Sequence, residues 1–154
     1  MTSILIIGGG GMVGQKLAHS LSSEPLTSND EQVTLFDLGF PEDGAPAFEK
    51  VPGNVTDDHA VRTLISQRPD VIFHLASIVS GHAEKEFDLG WSVNASAFRS
   101  FLDHIKAEHD ASGGTYRPRV IFTSSIAVFG APYPFKIDDT FLSAPQTSYG
   151  AQKA

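Results

Sequence analysis

The stretch from Ser3 to Leu17, SILIIGGGGMVGQKL, limits what this chain can fold into more than any other. Ile4, Leu5, Ile6 and Ile7 run without polar alternation, as expected of a strand buried on both faces of a parallel sheet. Four glycines interrupt the run. Val13, Leu17, Ala18 and Leu21 then recur at intervals that suit one face of a helix. The segment reads as strand, glycine turn and helix.

Gly8, Gly11 and Gly14 stand between these elements at the spacing G-x-x-G-x-x-G. A tight turn needs a residue that tolerates positive φ, a pyrophosphate needs backbone with no β-carbon in its way, and the helix must pack closely on its strand. The N–H groups and positive dipole end of that helix then face the phosphates. Glycine-rich turns also arise for steric reasons alone, but after a buried strand and before an amphipathic helix this spacing points to dinucleotide binding. A polar stretch, Ser22 to Gln32, leads to a second strand, Val33 to Phe36, which ends in Asp37. In a dinucleotide fold a carboxylate there accepts hydrogen bonds from both adenosine ribose hydroxyls and repels a 2'-phosphate, which favours NAD over NADP. Taken alone, Asp37 reads equally well as the end of a strand in the turn Asp37-Leu38-Gly39.

At 154 residues the chain has the size of one domain, and its apolar content supports a sizeable core. No apolar run reaches membrane-spanning length, and Ser3 to Ile7 is too short and unflanked for a secretion signal, so a cytoplasmic protein with no membrane partner is expected. Cysteine is absent, which excludes disulfides and cysteine metal sites, and no metal is expected. The net charge of -7, with scattered rather than clustered Lys and Arg, argues against a nucleic-acid partner. An anionic substrate then needs a local cationic pocket.

Gly39 to Ala47 carries Pro41, Gly44 and Pro46 and reads as a surface loop, with a short strand near Phe48 to Val51. After Gly53-Asn54-Val55, Thr56 or Asp57 suits the cap of a helix whose apolar positions are Val61, Leu64 and Ile65; Pro69-Asp70 stops it. Val71 to Leu75 is the next buried strand. Ligands of open α/β sheets lie beyond the carboxyl ends of the strands, which brings Ala76 and Ser77 near the cofactor. His74 lies within the strand and reads as a packed structural histidine. His82 falls in a loop, Ser80 to Glu86, and reads as solvated, with substrate contact as the alternative. A long helix is predicted over Leu89 to Glu108, with Val93, Ala97, Phe101 and Ile105 as a core stripe and not a cofactor contact. Asn94 follows Val93, where its amide can tie the helix to a neighbouring strand end. The polar loop His109 to Pro118 leads to a central strand, Val120 to Phe122, which ends in Thr123-Ser124-Ser125 at the crevice.

Tyr149 and Lys153 are four apart and share one face of a helix. A nearby ammonium favours the phenolate form of a tyrosine, which makes Tyr149 a candidate proton acceptor or donor. Lys153 is long enough to reach the nicotinamide ribose as well. Ser125 is placed to hydrogen-bond a reacting oxygen and orient it toward Tyr149. Each of these features is common by itself; in this order behind the glycine turn, chance is a poor explanation.

The segments GGGGMVG, HLAS, TSSIAVFG and YGAQK resemble, in order and separation, the motifs of the extended short-chain dehydrogenase/reductase family, which includes nucleotide-sugar epimerases and dehydratases. The resemblance covers essentially the whole chain. It implies an α/β fold, a Rossmann-type doubly wound parallel sheet, with residues 1–154 as the NAD-binding domain of a longer enzyme. By this resemblance Ser125, Tyr149 and Lys153 match the catalytic serine, tyrosine and lysine, Ser125 being preferred to Ser124 because it stands directly before IAVFG. Gly8, Gly11, Met12, Val13 and Gly14 fall on the pyrophosphate, Asp37 on the adenosine ribose, and Asn54 and Val55 beside adenine. Leu75, Ala76 and Ser77 line the middle of the cofactor, and Asn94, Tyr149 and Lys153 complete its contacts. Asn54 departs from the family's frequent aspartate, keeping an acceptor but losing the charge, and Phe129 replaces a frequent tyrosine.

A narrower resemblance, carried by ASIVSGHAEKEFDLGWSVN and SSIAVFGAPYPFKIDDTFLSAPQTSYGAQKA, is to the D-erythronate dehydrogenase branch. It implies a small-molecule substrate, a four-carbon sugar acid oxidised at its C2 hydroxyl with NAD. The alternatives are a nucleotide-sugar epimerase or dehydratase that keeps NAD bound, and a non-catalytic dinucleotide sensor. The last residues, Gln152-Lys153-Ala154, stand one turn into a helix, so the sheet is expected to be incomplete at the C-terminus and the substrate domain to be missing. Apolar surface left uncovered in this way destabilises an isolated piece. The resemblance further implies a homodimer of the full-length protein, through Leu89 to Glu108 and the helix begun at Tyr149.

Overall fold

The computed structural model describes residues 1–27, 30–42 and 48–154. Five strands, β1 (Thr2–Ile7), β2 (Glu31–Asp37), β3 (Glu49–Pro52), β4 (Val71–His74) and β5 (Arg119–Phe122), form one wholly parallel sheet in the order β3-β2-β1-β4-β5. Helices α1 (Met12–Ser23), α2 (Asp58–Ser66), α3 (Ser80–Lys85), α4 (Phe87–Trp91), α5 (Ala97–Ala111) and α6 (Ser148–Lys153) join and follow the strands. The chain winds from β1 outward to β3, then crosses back to β4 and β5 on the other side. The order therefore reverses at β1, where a doubly wound sheet opens its crevice.

The two faces of β1 explain its unbroken apolar run. Ile4 and Ile6 pack with Ala18, Leu21, Val33 and Leu35, whereas Leu5 and Ile7 pack with Phe36, Val61, Leu64, Ile65, Ile72 and Phe101. Each such side chain contributes about 1.5–3 kcal/mol by leaving water, so a polar residue at any of these positions is costly whichever way it points. Asp57 settles the cap of α2: its Oδ1 accepts the N–H groups of His59 and Ala60 at 3.0 and 3.2 Å. The helix stops after Ser66, and Arg68 takes a left-handed φ of 56° before Pro69.

Several boundaries differ from the expectation. β2 begins at Glu31, because Glu31 and Gln32 pair with Thr2 and Ser3 through main-chain groups that need no apolar side chain. β3 is displaced by one residue, and β4 stops at His74. Part of the predicted loop Gly39 to Ala47, residues 43–47, lies outside the described residues, as do residues 28–29 of the polar stretch. On α1 the buried face is Gly14, Ala18 and Leu21, while Val13 is 52% exposed. Gly14 is the residue that meets the strand end, which turns Val13 away.

The region after β4 differs most. Ser80 to Glu86 is not a loop; it contains α3. The predicted long helix is divided into α4, a π-helical turn over Ser92–Ser96, and α5. The wider turn shifts the inward position by one residue, so Asn94 is 3% exposed and Val93, expected in the core stripe, faces a cavity instead. Ala97 and Phe101 are buried as the stripe predicts. No described helix is long and apolar enough to cross a membrane.

Candidate functional site

A cavity of about 520 Å³ opens at the carboxyl ends of β1, β2 and β4. Among the residues that line it are Gly8, Gly11, Asp37, Asn54, Val55, Leu75, Ala76 and Ser77, all read from the sequence as cofactor contacts. The glycine turn shapes its floor. Gly8 has φ 91°, and a β-carbon there would stand 2.5 Å from the Ala76 nitrogen; one on Gly14 would strike the Gly8 carbonyl. Both substitutions would fill or distort the cradle. Gly11 precedes α1 and offers no side chain to cap it, unlike Asp57 on α2, so the first-turn N–H groups of α1 are open to an anion. Met12 and Val13 stand on that first turn, 72% and 52% exposed, outside the cavity lining.

Asp37 organises the same turn. Its Oδ2 accepts the Gly10 N–H at 2.9 Å and its Oδ1 the Leu38 N–H at 2.7 Å, while Gly8 and Gly9 donate to the Phe36 carbonyl at 2.8 and 3.1 Å. The carboxylate retains acceptor capacity on both oxygens toward a pair of hydroxyls. Asn54 spends its side-chain oxygen locally, accepting the Thr56 N–H at 3.0 Å. The lining also contains Leu38, Gly53, Ile78, His82 and Leu89, which periodicity did not single out.

Asn94 does not line the cavity; it braces one wall. Its Oδ1 accepts from the Ile78 N–H at 2.8 Å and from Ser77 Oγ at 3.1 Å, and its Nδ2 donates to the Ile78 carbonyl at 3.0 Å and to Gln152 Oε1 at 2.8 Å. The sequence reading of an amide that ties this helix to a strand end matches these bonds. Gln152, which the sequence reading missed, is itself buried and donates to Ser148 Oγ at 2.9 Å. Through the pair, the wall at Ser77 and Ile78 is joined to α6.

The remaining candidates gather where β5 ends. A 3-10 turn, Ile126–Val128, follows Ser125, whose Oγ accepts the Ala127 N–H at 3.2 Å. Thr147 caps α6 by accepting the Gly150 N–H at 3.0 Å. Gly150 packs so closely on the turn that a β-carbon would strike the Ala127 carbonyl. Ser124, not Ser125, is the serine tied to the helix, donating to the Lys153 carbonyl at 2.9 Å. Lys153 is 3% exposed, and its Nζ stands 4.4 Å from the centre of the Phe122 ring. Burial lowers its pKa, and the ring face offsets part of the lost hydration. Tyr149 is half-buried, and its main-chain N–H donates to Glu84 Oε1 at 2.6 Å. Ser125, Tyr149 and Lys153 thus lie on two elements in contact, outside the cavity lining itself.

His74 is 1% exposed and edges onto Phe98 and Phe101, with ring centres 4.9 and 5.1 Å away. Among the described residues neither ring nitrogen has a hydrogen-bond partner, and burial, with the Lys153 charge adding to it, lowers its pKa to about 4. It is a neutral, packed residue, as its place in a strand suggests.

The fold is shared with known proteins. The chain is 37% identical to a D-erythronate dehydrogenase of Cupriavidus necator and 35% identical to one of Haemophilus influenzae, over 99% and 98% of its own length. It spans about half of those relatives, 47% and 46% of their lengths. Among solved structures, the nucleoside-diphosphate-sugar epimerase of Agrobacterium tumefaciens superposes with a TM-score of 0.90 at 44% identity, over 99% of this chain and 45% of that one. UDP-glucose 4-epimerase of Brucella ovis, in complex with NAD, superposes at 0.80 with 21% identity, over 99% and 45%, a likeness of fold alone. With residues 4–154 matching the model of the NAD dependent epimerase/dehydratase family, the chain belongs to that family.

Proposed function

We propose that this chain is the NAD-binding part of an oxidoreductase that removes hydride from a secondary hydroxyl of a small sugar acid, with D-erythronate and its C2 hydroxyl as the type. The observation that carries the reading is the junction of one cavity, lined by Gly8, Gly11 and Asp37, with the Ser125 turn and α6, through Asn94 and Gln152. The choice of substrate rests on the two relatives named D-erythronate dehydrogenase.

The residues present fit a dinucleotide. Gly8 and Gly14 leave a cradle that β-carbons would fill, the first turn of α1 offers N–H groups to the pyrophosphate, and Asp37 offers acceptors to the adenosine ribose. Asn54 and Val55 border the adenine end; Leu75, Ala76 and Ser77 border the middle. NAD, when bound, supplies the hydride acceptor. Tyr149 takes the proton of the substrate hydroxyl, Ser125 donates a hydrogen bond to the same oxygen, and Lys153 supplies a positive charge beside Tyr149.

Tyr149→Phe in the full-length protein tests the reading. It is expected to lower kcat by about a hundred- to ten-thousandfold while the Kd for NAD stays within about twofold. Turnover near that of the unaltered enzyme would remove Tyr149 from the chemistry. A second reading, a nucleotide-sugar epimerase that retains NAD through its cycle, draws support from the 44% identity to the Agrobacterium protein so titled. That reading expects conversion of a nucleotide sugar with no net NADH.

A further inference from the structure

We propose that His82 is the oxyanion contact of the cavity and that the oxyanion it receives is the substrate carboxylate; this rests on the dehydrogenase reading above. Among the described residues lining the cavity, Asp37 is the only carboxylate, none is Lys or Arg, and His82 is the one side chain able to carry positive charge. Lys153 is buried against Phe122 and does not line the cavity. Within this lining, in a chain of net charge -7, a carboxylate meets no other side chain able to carry positive charge. An anion left unpaired in such a place is costly.

The topology places His82 at the reacting end. Asp37 ends β2, on one side of β1, whereas His82 follows β4 on the other side. Two residues on from His82, Glu84 accepts the Tyr149 N–H at 2.6 Å, which ties α3 to the helix that bears Tyr149 and Lys153. His82 is exposed at the rim, and its ring makes no hydrogen bond to a described residue, so an N–H is available to a ligand. A hydrogen bond to a charged group is worth a factor of about ten to a hundred in binding.

His82→Gln and His82→Lys in the full-length protein test this, with D-erythronate and NAD as probes. The Gln variant is expected to raise KM for D-erythronate about ten- to a hundredfold with the Kd for NAD unchanged, and the Lys variant, which supplies a charged N–H donor, to recover most of the loss. A purely structural histidine would not be rescued by Lys. A raised Kd for NAD with unchanged KM for the acid keeps His82 as an oxyanion contact and overturns its assignment to the carboxylate in favour of the pyrophosphate. Unchanged KM and unchanged Kd in the Gln variant overturn the proposal. If the unaltered protein binds NAD but does not oxidise D-erythronate, the dehydrogenase reading fails by itself, and the NAD arm still decides whether His82 meets an oxyanion.

Discussion

His74 and Lys153 share one aromatic neighbour, Phe122, with the imidazole centre 6.2 Å and the ammonium 4.4 Å from the centre of its ring. Two basic groups so placed cannot both be charged cheaply, and the more buried one gives way. His74 has its pKa lowered from 6.5 to about 4, by burial first and by the Lys153 charge second. The folded state therefore binds fewer protons than the unfolded chain between these values, so stability is complete above pH 6.5 and falls as the pH drops toward about 4. The loss amounts to about 3 kcal/mol. His74→Leu keeps the packing and removes the titration, so urea unfolding of the full-length protein between neutral and acid pH is expected to show a shallower decline in the variant. Parallel declines would mean that His74 titrates normally. The strand pattern of Val71 to His74 made this residue legible as packed; its neighbours Phe98 and Phe101 come from a helix far along the chain, and no local pattern foretells their grip.

Among the elements, α6 is positioned by what it touches. Gly150 lets it close onto the turn after Ser125, and Gln152 fastens it to Asn94, 58 residues earlier. Gly150→Ala drives a methyl group into the Ala127 carbonyl and pushes Tyr149 off its place. Displacements of this order cost about a hundredfold in rate, so kcat is expected to fall by that factor while the Kd for NAD, set at the glycine turn, stays within about twofold. An unchanged kcat would show that the contact of α6 with the turn does not position Tyr149. The strands, α1, α2 and the glycine turn were legible because their signals are periodic and local. The π-helical turn was not: its inward residue is chosen by the Ile78 and Gln152 groups that saturate the Asn94 amide, and these are distant in sequence. The helix over Ser80–Lys85 escaped for a simpler reason, since six residues with one buried side chain, Ala83, carry no periodicity to read.

At the scale of the whole molecule, the reversal of strand order at β1 brings the glycine turn, Asp37 and the Leu75–Ser77 wall onto one cavity, and β5 delivers the Ser125 turn and α6 beside it. Gly8, Asp37, Leu75, Ala76 and Ser77, read from the sequence as cofactor contacts, converge there because each stands at or just beyond the carboxyl end of a strand, a position that unbroken apolar runs reveal before any contact is known. The substrate is a different matter, since no pattern in the strands names it and its proposed contact, His82, lay in a segment read as a loop. The most direct test of the central claim is the absorbance of NADH when full-length protein is mixed with NAD and a panel of four-carbon sugar acids and nucleotide sugars. Growth of NADH with D-erythronate or a close relative is the predicted result. Conversion of a nucleotide sugar without net NADH, and silence with every acid, would contradict it.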